Sequence, residues 1–293
     1  MKRTVFTNRW LPYLLVLPQV VVTLIFFFWP AFESLRLSFF RASPFGDRLV
    51  YIGVQNFQRL LTSGEYLRSV INSFLFAGAV TFIGLSLSLF LATLANARIR
   101  GLAFYRTMLL WPYGIAPAVS GIIWLFIFEP RYGILPYLLS FVTAYEFNWN
   151  LKGWVAMVVI VAASVWKQLG YNLAFFLAGL QGIPESVTEA ASVDGAGPIR
   201  RFFSITFPLL SPTTFFLFML NMTYSFFDTF GLIHAVTRGG PGQATTIMVY
   251  KVYKDGFEGL QLGSSAAQSV ILMVVVIFIT MLQFRYAEKR VVY

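Results

Sequence analysis

The sequence of 293 residues contains no cysteine and a single histidine, His234. The lack of cysteine excludes disulfide bonds and thiolate metal sites, and one histidine cannot hold a metal ion alone. The phosphate loop of nucleotide hydrolases, Gly-x-x-x-x-Gly-Lys-Ser/Thr, is missing, and so is the His-Glu-x-x-His pair of zinc enzymes. We therefore expect no catalytic residue, metal or cofactor in this chain, and we expect His234 to be an interfacial residue.

Charged residues are also scarce, at 12% of the chain, while 58% of the residues are hydrophobic and the mean hydropathy is +0.71. An ordinary soluble domain carries about 25% charged residues, so this composition predicts a polytopic membrane protein. The net charge of +10 comes from lysines and arginines that are scattered through the chain. Because they form no block or stripe, nucleic acid is not an expected partner.

Apolar runs of about 20 residues or more predict membrane-spanning helices. The first run follows basic residues and is framed by Trp10 and Trp29, which suit the two membrane interfaces. It is too long for the apolar core of a signal peptide, and no small-residue cleavage site follows it. We predict an all-α polytopic transmembrane bundle that forms one domain over residues 1–293. Its six predicted spans cover residues 11–29, 70–94, 107–128, 153–180, 212–236 and 263–284.

The third predicted span contains several residues that disturb helices, namely Pro112, Gly114, Pro117 and Gly121. They predict a distorted helix whose loosened backbone lines a cavity or a gate. Between the first two spans, the mixed polarity of residues 30–69 predicts an extramembrane loop.

Basic residues set the expected orientation in the membrane. Six spans place both termini on one side, and the Lys and Arg totals of the two sides nearly match. The density of charge is more informative, because Arg98, Arg100 and Arg106 crowd one tight turn while the charges of the opposite side spread over longer loops. We therefore predict that both termini are cytoplasmic. The basic residues near the N-terminus that this places inside are Lys2, Arg3 and Arg9.

Residues 185–209 form a long connection that this orientation places in the cytoplasm, between spans four and five. Pro184 suits the start of a helix, and acidic residues just after it favour the positive end of the helix dipole. Two glycines and a proline within residues 194–198 then interrupt the helix, and apolar residues at helical spacing resume over residues 199–207. The pattern predicts a bent helix pair.

This segment resembles the cytoplasmic signature of the permeases of ABC importers. The family signature is Glu-Ala-Ala, three residues, Gly, nine residues, Ile, one residue and Leu-Pro. The matching positions of this chain are Glu189, Ala190, Ala191, Gly195, Ile205 and Pro208. Phe207 stands where the signature has leucine, and its side chain is also apolar but larger. The resemblance implies that residues 185–209 are a coupling helix that inserts into a groove on an ATPase subunit; without it, the segment is an amphipathic connector with no partner.

A second stretch, Gly239, Gly240 and Pro241, resembles the loop that sugar-type permeases of the same family present to the periplasm. Taken alone, the same three residues are an ordinary tight turn. The resemblance covers most of the chain, and residues 194–203 are especially similar to the permeases of glycerol phosphate importers. The expected solute, a glycerol phosphate-like or sugar-like molecule, depends on that likeness.

The resemblance also implies an assembly in the bacterial cytoplasmic (inner) membrane, surrounded by membrane lipid. Its other members are a second homologous permease, a dimer of ATPase subunits and a soluble or lipid-anchored substrate-binding protein. ATP and Mg²⁺ bind to the ATPase, and this chain forms half of the translocation path. ATP binding then closes the ATPase dimer, moves the bent segment and tilts spans four and five to switch access. Within the segment, Glu189 sets the helix start and partner contact, and Gly195 supplies the bend.

Charged residues within membrane spans are costly and are therefore candidates for function. Lys167 and Asp228 lie in predicted spans four and five. They either pair to stabilise the bundle or serve transport, and Lys167 offers a positive charge if the cargo is a phosphate ester. The predicted substrate path comprises Lys167, Tyr171, Asn172, Asn221 and Asp228.

Two other classes of function compete with an ATP-driven permease. A secondary transporter driven by an ion gradient also has broken helices and intramembrane charge, but the long bent cytoplasmic segment argues against it. A membrane-embedded enzyme ranks last, because the sequence has no cluster of His, Asp and Glu at catalytic spacing.

Overall fold

The computed structural model describes residues 10–43, 48–96, 102–142 and 147–290. It divides the chain into two compact units, residues 1–63 with 252–273 and residues 64–251 with 274–293. Five basic residues used to predict the orientation lie outside the described residues, namely Lys2, Arg3, Arg9, Arg98 and Arg100.

The first unit begins with helix α1, Leu11–Leu37. None of its residues is buried, so its apolar side chains face outward on all sides. A π turn at Leu24–Phe28 interrupts the regular α-helix, and the N–H of Trp29 bonds to the carbonyl of Leu24. Pro30 follows directly and lacks an N–H, which is a common cause of such widening.

The first unit continues with a short antiparallel hairpin of strands β1, Phe40–Ala42, and β2, Leu49–Tyr51. Helix α2, Gln55–Thr62, follows the hairpin. Asn56 on α2 is buried, and its Nδ2 donates to the carbonyl oxygens of Ser38 at 2.8 Å and Phe40 at 3.0 Å. One amide therefore holds α2 against the hairpin.

Most of the remaining helices belong to the second unit. In chain order the helices after α2 are α3 Gly64–Ala95, α4 Leu102–Leu110, α5 Pro117–Phe128, α6 Ile134–Ser140, α7 Gly153–Gln181, α8 Glu185–Val193, α9 Pro198–Leu209, α10 Ser211–Phe227, α11 Phe230–Val236 and α12 Met248–Tyr253. The residues of α12 up to Lys251 belong to the second unit, and the last two belong to the first. The last helix, α13, covers Leu262–Arg290, and its residues are divided between the two units.

The core of the second unit lies where α3, α7 and α10 pack together. Its apolar cluster includes Phe176 and Leu173 of α7 and Leu217 of α10, all fully buried. A glycine lets a further helix approach α7, because a Cβ added to Gly170 would lie 2.8 Å from the carbonyl oxygen of Leu109. Small residues of this kind permit close packing of helices in lipid.

Four helices of the described chain, α1, α3, α7 and α13, are long and apolar enough to cross a membrane. Two bent pairs raise the number to six if each pair is one span: Thr107–Gly114 with Pro117–Phe128, bent by 114°, and Pro198–Leu209 with Ser211–Phe227, bent by 68°. The predicted all-α transmembrane bundle is confirmed. The limits of each span in the membrane stay a prediction.

The helices differ from the sequence-based expectation at two places. The loop expected over residues 30–69 is helical at both ends, since α1 continues to Leu37 and α3 begins at Gly64. The fifth predicted span, residues 212–236, is interrupted at Asp228, between α10 and α11. Hydroxyl groups near the break donate to backbone carbonyls one turn earlier, an arrangement that bends helices.

Candidate functional site

A cavity of about 580 Å³ lies in the second unit beside the break between α4 and α5. The backbone there leaves the helix through the 3₁₀ turn Trp111–Gly114, and α5 restarts at Pro117. The sequence-based prediction of a distorted helix that lines a cavity is therefore correct. The lining residues are Tyr113, Gly114, Ile115, Ala116, Pro117, Lys167, Gln168, Tyr171, Leu220, Thr223, Tyr224 and Asp228.

Lys167 connects the cavity wall to the broken helix. It is only 6% exposed, and its Nζ donates to the carbonyl oxygen of Ile115 at 2.8 Å and to that of Tyr113 at 3.4 Å. The same nitrogen lies 5.7 Å from the centre of the Tyr113 ring. The break frees these carbonyls from helical partners, and a cation near a helix C-terminus is favoured by the helix dipole. Lys167 therefore satisfies the broken backbone from inside the bundle.

Asp228 lines the same cavity from the break between α10 and α11. The two intramembrane charges predicted from the sequence thus lie on one cavity. In the part of the chain that the structure describes, the hydrogen bonds of the Lys167 ammonium go to backbone carbonyls. Tyr171 lies one turn beyond Lys167 on α7, and its ring centre is 5.1 Å from that of Tyr113.

Asn172 and Asn221, the other two residues of the predicted substrate path, do not line this cavity. Both are fully buried at the contact between α7 and α10. Each amide donates to the other, with distances of 3.1 Å from Asn172 Nδ2 to Asn221 Oδ1 and 2.7 Å in the reverse direction. Asn172 and Asn221 were predicted to line the path because they are polar residues within spans. The structure shows that this polarity serves a contact between helices.

The sequence-based path omitted several residues that the fold brings to the cavity, including Tyr113, Gln168 and Thr223. A signal for Tyr113 was present, because it falls between Pro112 and Gly114 in the predicted helix break. Thr223 is on α10 and could have been found only by aligning its helical face with that of α7.

The predicted coupling segment is the bent pair α8 and α9. Gly195 ends α8 with a left-handed φ of +78°. The N–H of Gly195 bonds to the carbonyl of Ser192 at 3.1 Å, and the N–H of Ala196 bonds to that of Ala191 at 2.9 Å. These two bonds define a Schellman motif, in which glycine is favoured at the left-handed position. The bend predicted at Gly195 is present.

The outer surface of the coupling segment is rich in exposed apolar side chains. Val193 is 88% exposed, Ile199 75% and Phe203 66%, and Phe207 of the signature is 40% exposed. Ala191 is buried, whereas Glu189, Ala190 and Pro208 are exposed and Ile205 is half-buried. These side chains are candidates for contact with another protein.

The inner side of the segment covers a second cavity, of about 860 Å³. Residues from the ends of α3 and α7, including Asn96 and Gln181, form one wall, and Glu185 and Arg201 of the segment form another. The Arg201 guanidinium also donates to the Ser192 hydroxyl, which joins α8 to α9. The bent pair is thus held together while it spans a cavity.

The Gly239, Gly240 and Pro241 turn belongs to a firmly held loop after α11. Gly239 is buried with a φ of +79°, and the Gly240–Pro241 peptide bond is cis. Three threonine hydroxyl groups bond within the loop, including a 2.7 Å contact between Thr237 and Thr245.

This loop is also fixed to α3, because Asn72 Nδ2 donates to the carbonyls of Gln243 and Thr246, each at 3.2 Å. Arg238 is exposed at the edge of the turn. Nearby, His234 stacks on Phe230 with ring centres 5.5 Å apart, so it belongs to an aromatic contact of α11.

The family model described as "Binding-protein-dependent transport system inner membrane component" matches residues 1–293. Curated relatives match over all or nearly all of their length. The chain is 52% identical to the sn-glycerol-3-phosphate transport system permease protein UgpA of Rhizobium meliloti and 53% identical to that of Agrobacterium fabrum, with all of each chain covered. It is 50% identical to UgpA of Salmonella typhimurium, over 99% of this chain and 98% of the relative.

Solved structures share the fold. A chain in the crystal structure of a bacterial alginate ABC transporter, in complex with an alginate pentasaccharide-bound periplasmic protein, aligns with a TM-score of 0.81 and 21% identity. The alignment covers 95% of this chain and 94% of that one. The signature at residues 185–209, the match over the entire sequence and the shared fold agree, and the chain belongs to the family of inner-membrane permease subunits of binding-protein-dependent ABC importers.

Proposed function

We propose that this permease forms one half of the path through which an ATP-driven importer moves a glycerol phosphate-like or sugar-like solute. The observation that carries the proposal is the buried lysine on a cavity of about 580 Å³. Cavities of about 300–1,000 Å³ accommodate small molecules. Relatives at about half identity that are named sn-glycerol-3-phosphate permeases support the phosphate-bearing solute among these alternatives.

The donors and acceptors of the cavity suit a polyol that carries a phosphate. A lysine ammonium has three N–H donors, and two are engaged by the carbonyls of Tyr113 and Ile115. The third is available for a phosphate oxygen, with which an ammonium forms a charge-assisted hydrogen bond. Asp228 on the same cavity accepts from hydroxyl groups. Lys167, Tyr171 and Asp228 are therefore the substrate-path residues that we retain.

The coupling segment, in this proposal, transmits the movement of an ATPase dimer that binds ATP and Mg²⁺. The exposed side chains of Val193, Ile199 and Phe203 support an apolar contact with a groove on that ATPase. Closure of the dimer displaces α8 and α9, and α7 and α10 on either side transmit the displacement to the cavity.

The same proposal includes a second homologous permease, which completes the path, and a soluble or lipid-anchored binding protein, which delivers the solute. The outward-facing apolar surface of α1 supports contact with lipid and with another membrane chain. The Gly239 to Pro241 turn faces the binding protein. Both termini and the coupling segment lie in the cytoplasm.

The cargo is tested with the purified assembly of both permeases and the ATPase. We expect the binding protein loaded with sn-glycerol 3-phosphate to stimulate ATP hydrolysis more than the same protein offered a glycerophosphodiester or a sugar. Stimulation by a sugar alone would contradict the phosphate-bearing solute. Uptake that persists without ATP but collapses with the proton or sodium gradient would contradict an ATP-driven importer.

Lys167→Ala is expected to abolish solute uptake while the complex still assembles with the ATPase, because it removes the cation from the cavity. Uptake of radiolabelled sn-glycerol 3-phosphate and co-purification of the subunits measure the two properties. Lys152→Ala is the matched control, since Lys152 is an exposed lysine at the start of the same helix. Normal uptake by Lys167→Ala would refute its role in the path, and failed assembly would assign it to the broken helix alone.

Gly195→Ala is expected to weaken ATPase binding about 10-fold, since a left-handed conformation costs a non-glycine residue about 1–2 kcal/mol and the free segment avoids that cost by leaving the conformation that the ATPase binds. Open space surrounds Gly195, so the effect comes from the backbone and not from a clash. Gly197→Ala is the control, because Gly197 is also in open space but has a φ of −63°. Equal ATPase affinity for both variants, measured by titration, would exclude this role of Gly195.

Ser204→Cys tests the orientation. The parent chain has no cysteine, and Ser204 lies exposed on α9, so the new thiol is the only one in the chain. A membrane-impermeant maleimide is expected to label it in inverted vesicles and not in intact spheroplasts. Labelling from the outside would invert the topology.

A further inference from the structure

Asn172 and Asn221 form a closed pair of hydrogen bonds between the two helices that flank the coupling segment. The amides exchange two bonds, and Asn221 Nδ2 also donates to the carbonyl of Leu217 at 2.8 Å. Neither side chain is exposed. Interhelical hydrogen bonds of this kind stabilise helix pairs inside a bilayer.

The pair joins α7 and α10 at almost the same distance from the coupling segment. Asn172 lies nine residues before the end of α7 at Gln181, and Asn221 lies ten residues after the start of α10 at Ser211. At 1.5 Å per residue, these intervals are about 14 and 15 Å of helix. The asparagine pair thus joins α7 and α10 at nearly the same distance from the coupling segment.

A third helix encloses the pair. A Cβ added to Gly84 of α3 would lie 3.8 Å from Asn172 Nδ2 and 3.9 Å from Asn221 Oδ1, which are ordinary contact distances, so the backbone of α3 passes close to both amides. The adjoining Leu173 and Leu217 belong to the buried apolar cluster. An amide that lost its partner in these surroundings would be left unsatisfied, which penalises sliding of α7 past α10.

The two asparagines are also next in sequence to residues that line the cavity. Tyr171 and Leu220, which line the cavity, directly precede Asn172 and Asn221. We propose that Asn172 and Asn221 are positioning residues that make α7 and α10 move as one body, so that displacement of the coupling segment reaches the cavity. This inference rests on the proposed coupling function, and it gives the two asparagines a role that needs no contact with solute.

The test follows the cavity directly with a thiol at Thr223, an exposed cavity residue, in the assembled complex built with cysteine-free partners. In the Thr223→Cys parent, the rate of labelling by a polar thiol reagent is expected to differ between the nucleotide-free state and the state trapped with ADP and vanadate. Adding Asn172→Leu and Asn221→Leu is expected to reduce that ratio about fivefold, the size expected for two lost interhelical bonds in a bilayer.

ATP hydrolysis and assembly are expected to remain within about twofold of the parent in the double leucine variant, because buried leucine pairs pack well in place of the amides. The control is Ser88→Ala, which removes a buried interhelical hydrogen bond to Leu169 between α3 and α7 and leaves the α7 and α10 pair intact. We expect this control to keep the parental labelling ratio. A double leucine variant that keeps the ratio would overturn the inference.

A bridged variant keeps the inference testable if the leucine variant fails to assemble. Asn172→Cys and Asn221→Cys, joined by a short bifunctional thiol reagent, replace the amide link with a covalent one. Bridging is expected to restore sn-glycerol 3-phosphate uptake per ATP hydrolysed, and a bridge without effect would overturn the inference. If the labelling rate of the Thr223→Cys parent is the same in both nucleotide states, the proposed function is overturned, and this inference with it.

Discussion

The need to satisfy every backbone N–H and carbonyl inside hydrocarbon governs where this permease departs from regular helix. At the break between α4 and α5, the ammonium of Lys167 takes two freed carbonyls. At the break after α10, side-chain hydroxyls such as that of Thr229 donate to carbonyls one turn earlier. At each break, nearby side chains therefore donate hydrogen bonds to backbone carbonyls. Both breaks border the same cavity.

The broken helix and the buried lysine consequently depend on each other. A straight third span would have left the Lys167 ammonium without these two carbonyl acceptors in a membrane interior. The break, in turn, would leave the carbonyls of Tyr113 and Ile115 unpaired if residue 167 were apolar. A role in structure and a role in transport are compatible for this residue, because an ammonium has one donor more than these two carbonyls require.

Much of the architecture could be predicted from the sequence. Long apolar runs located the helices, and Pro112 to Pro117 correctly marked a broken one, because proline and glycine act on the local backbone. The coupling signature was equally readable, since Gly195 is needed for a local conformation, the left-handed end of a Schellman motif.

The side-chain environment of the site was less predictable. Lys167 and Asp228 are far apart in sequence but line one cavity, and the polar residues Asn172 and Asn221 face each other in a helix contact instead. Whether a polar residue lines the cavity or lies in a helix contact depends on how its helix is rotated about its own axis. The polarity of the residues along the sequence does not give that rotation. The continuation of α1 to Leu37 was missed for a related reason, because an exposed helix end has the mixed polarity of a loop.

The loop after α11 combines a buried glycine, threonine hydroxyl bonds and two bonds from Asn72. A surface that is already ordered loses little conformational entropy when another molecule binds to it. A partner that docks on this loop, as we propose for the binding protein, would therefore meet a surface that is already ordered. Changes that loosen the threonine contacts would then weaken that association by raising its entropic cost.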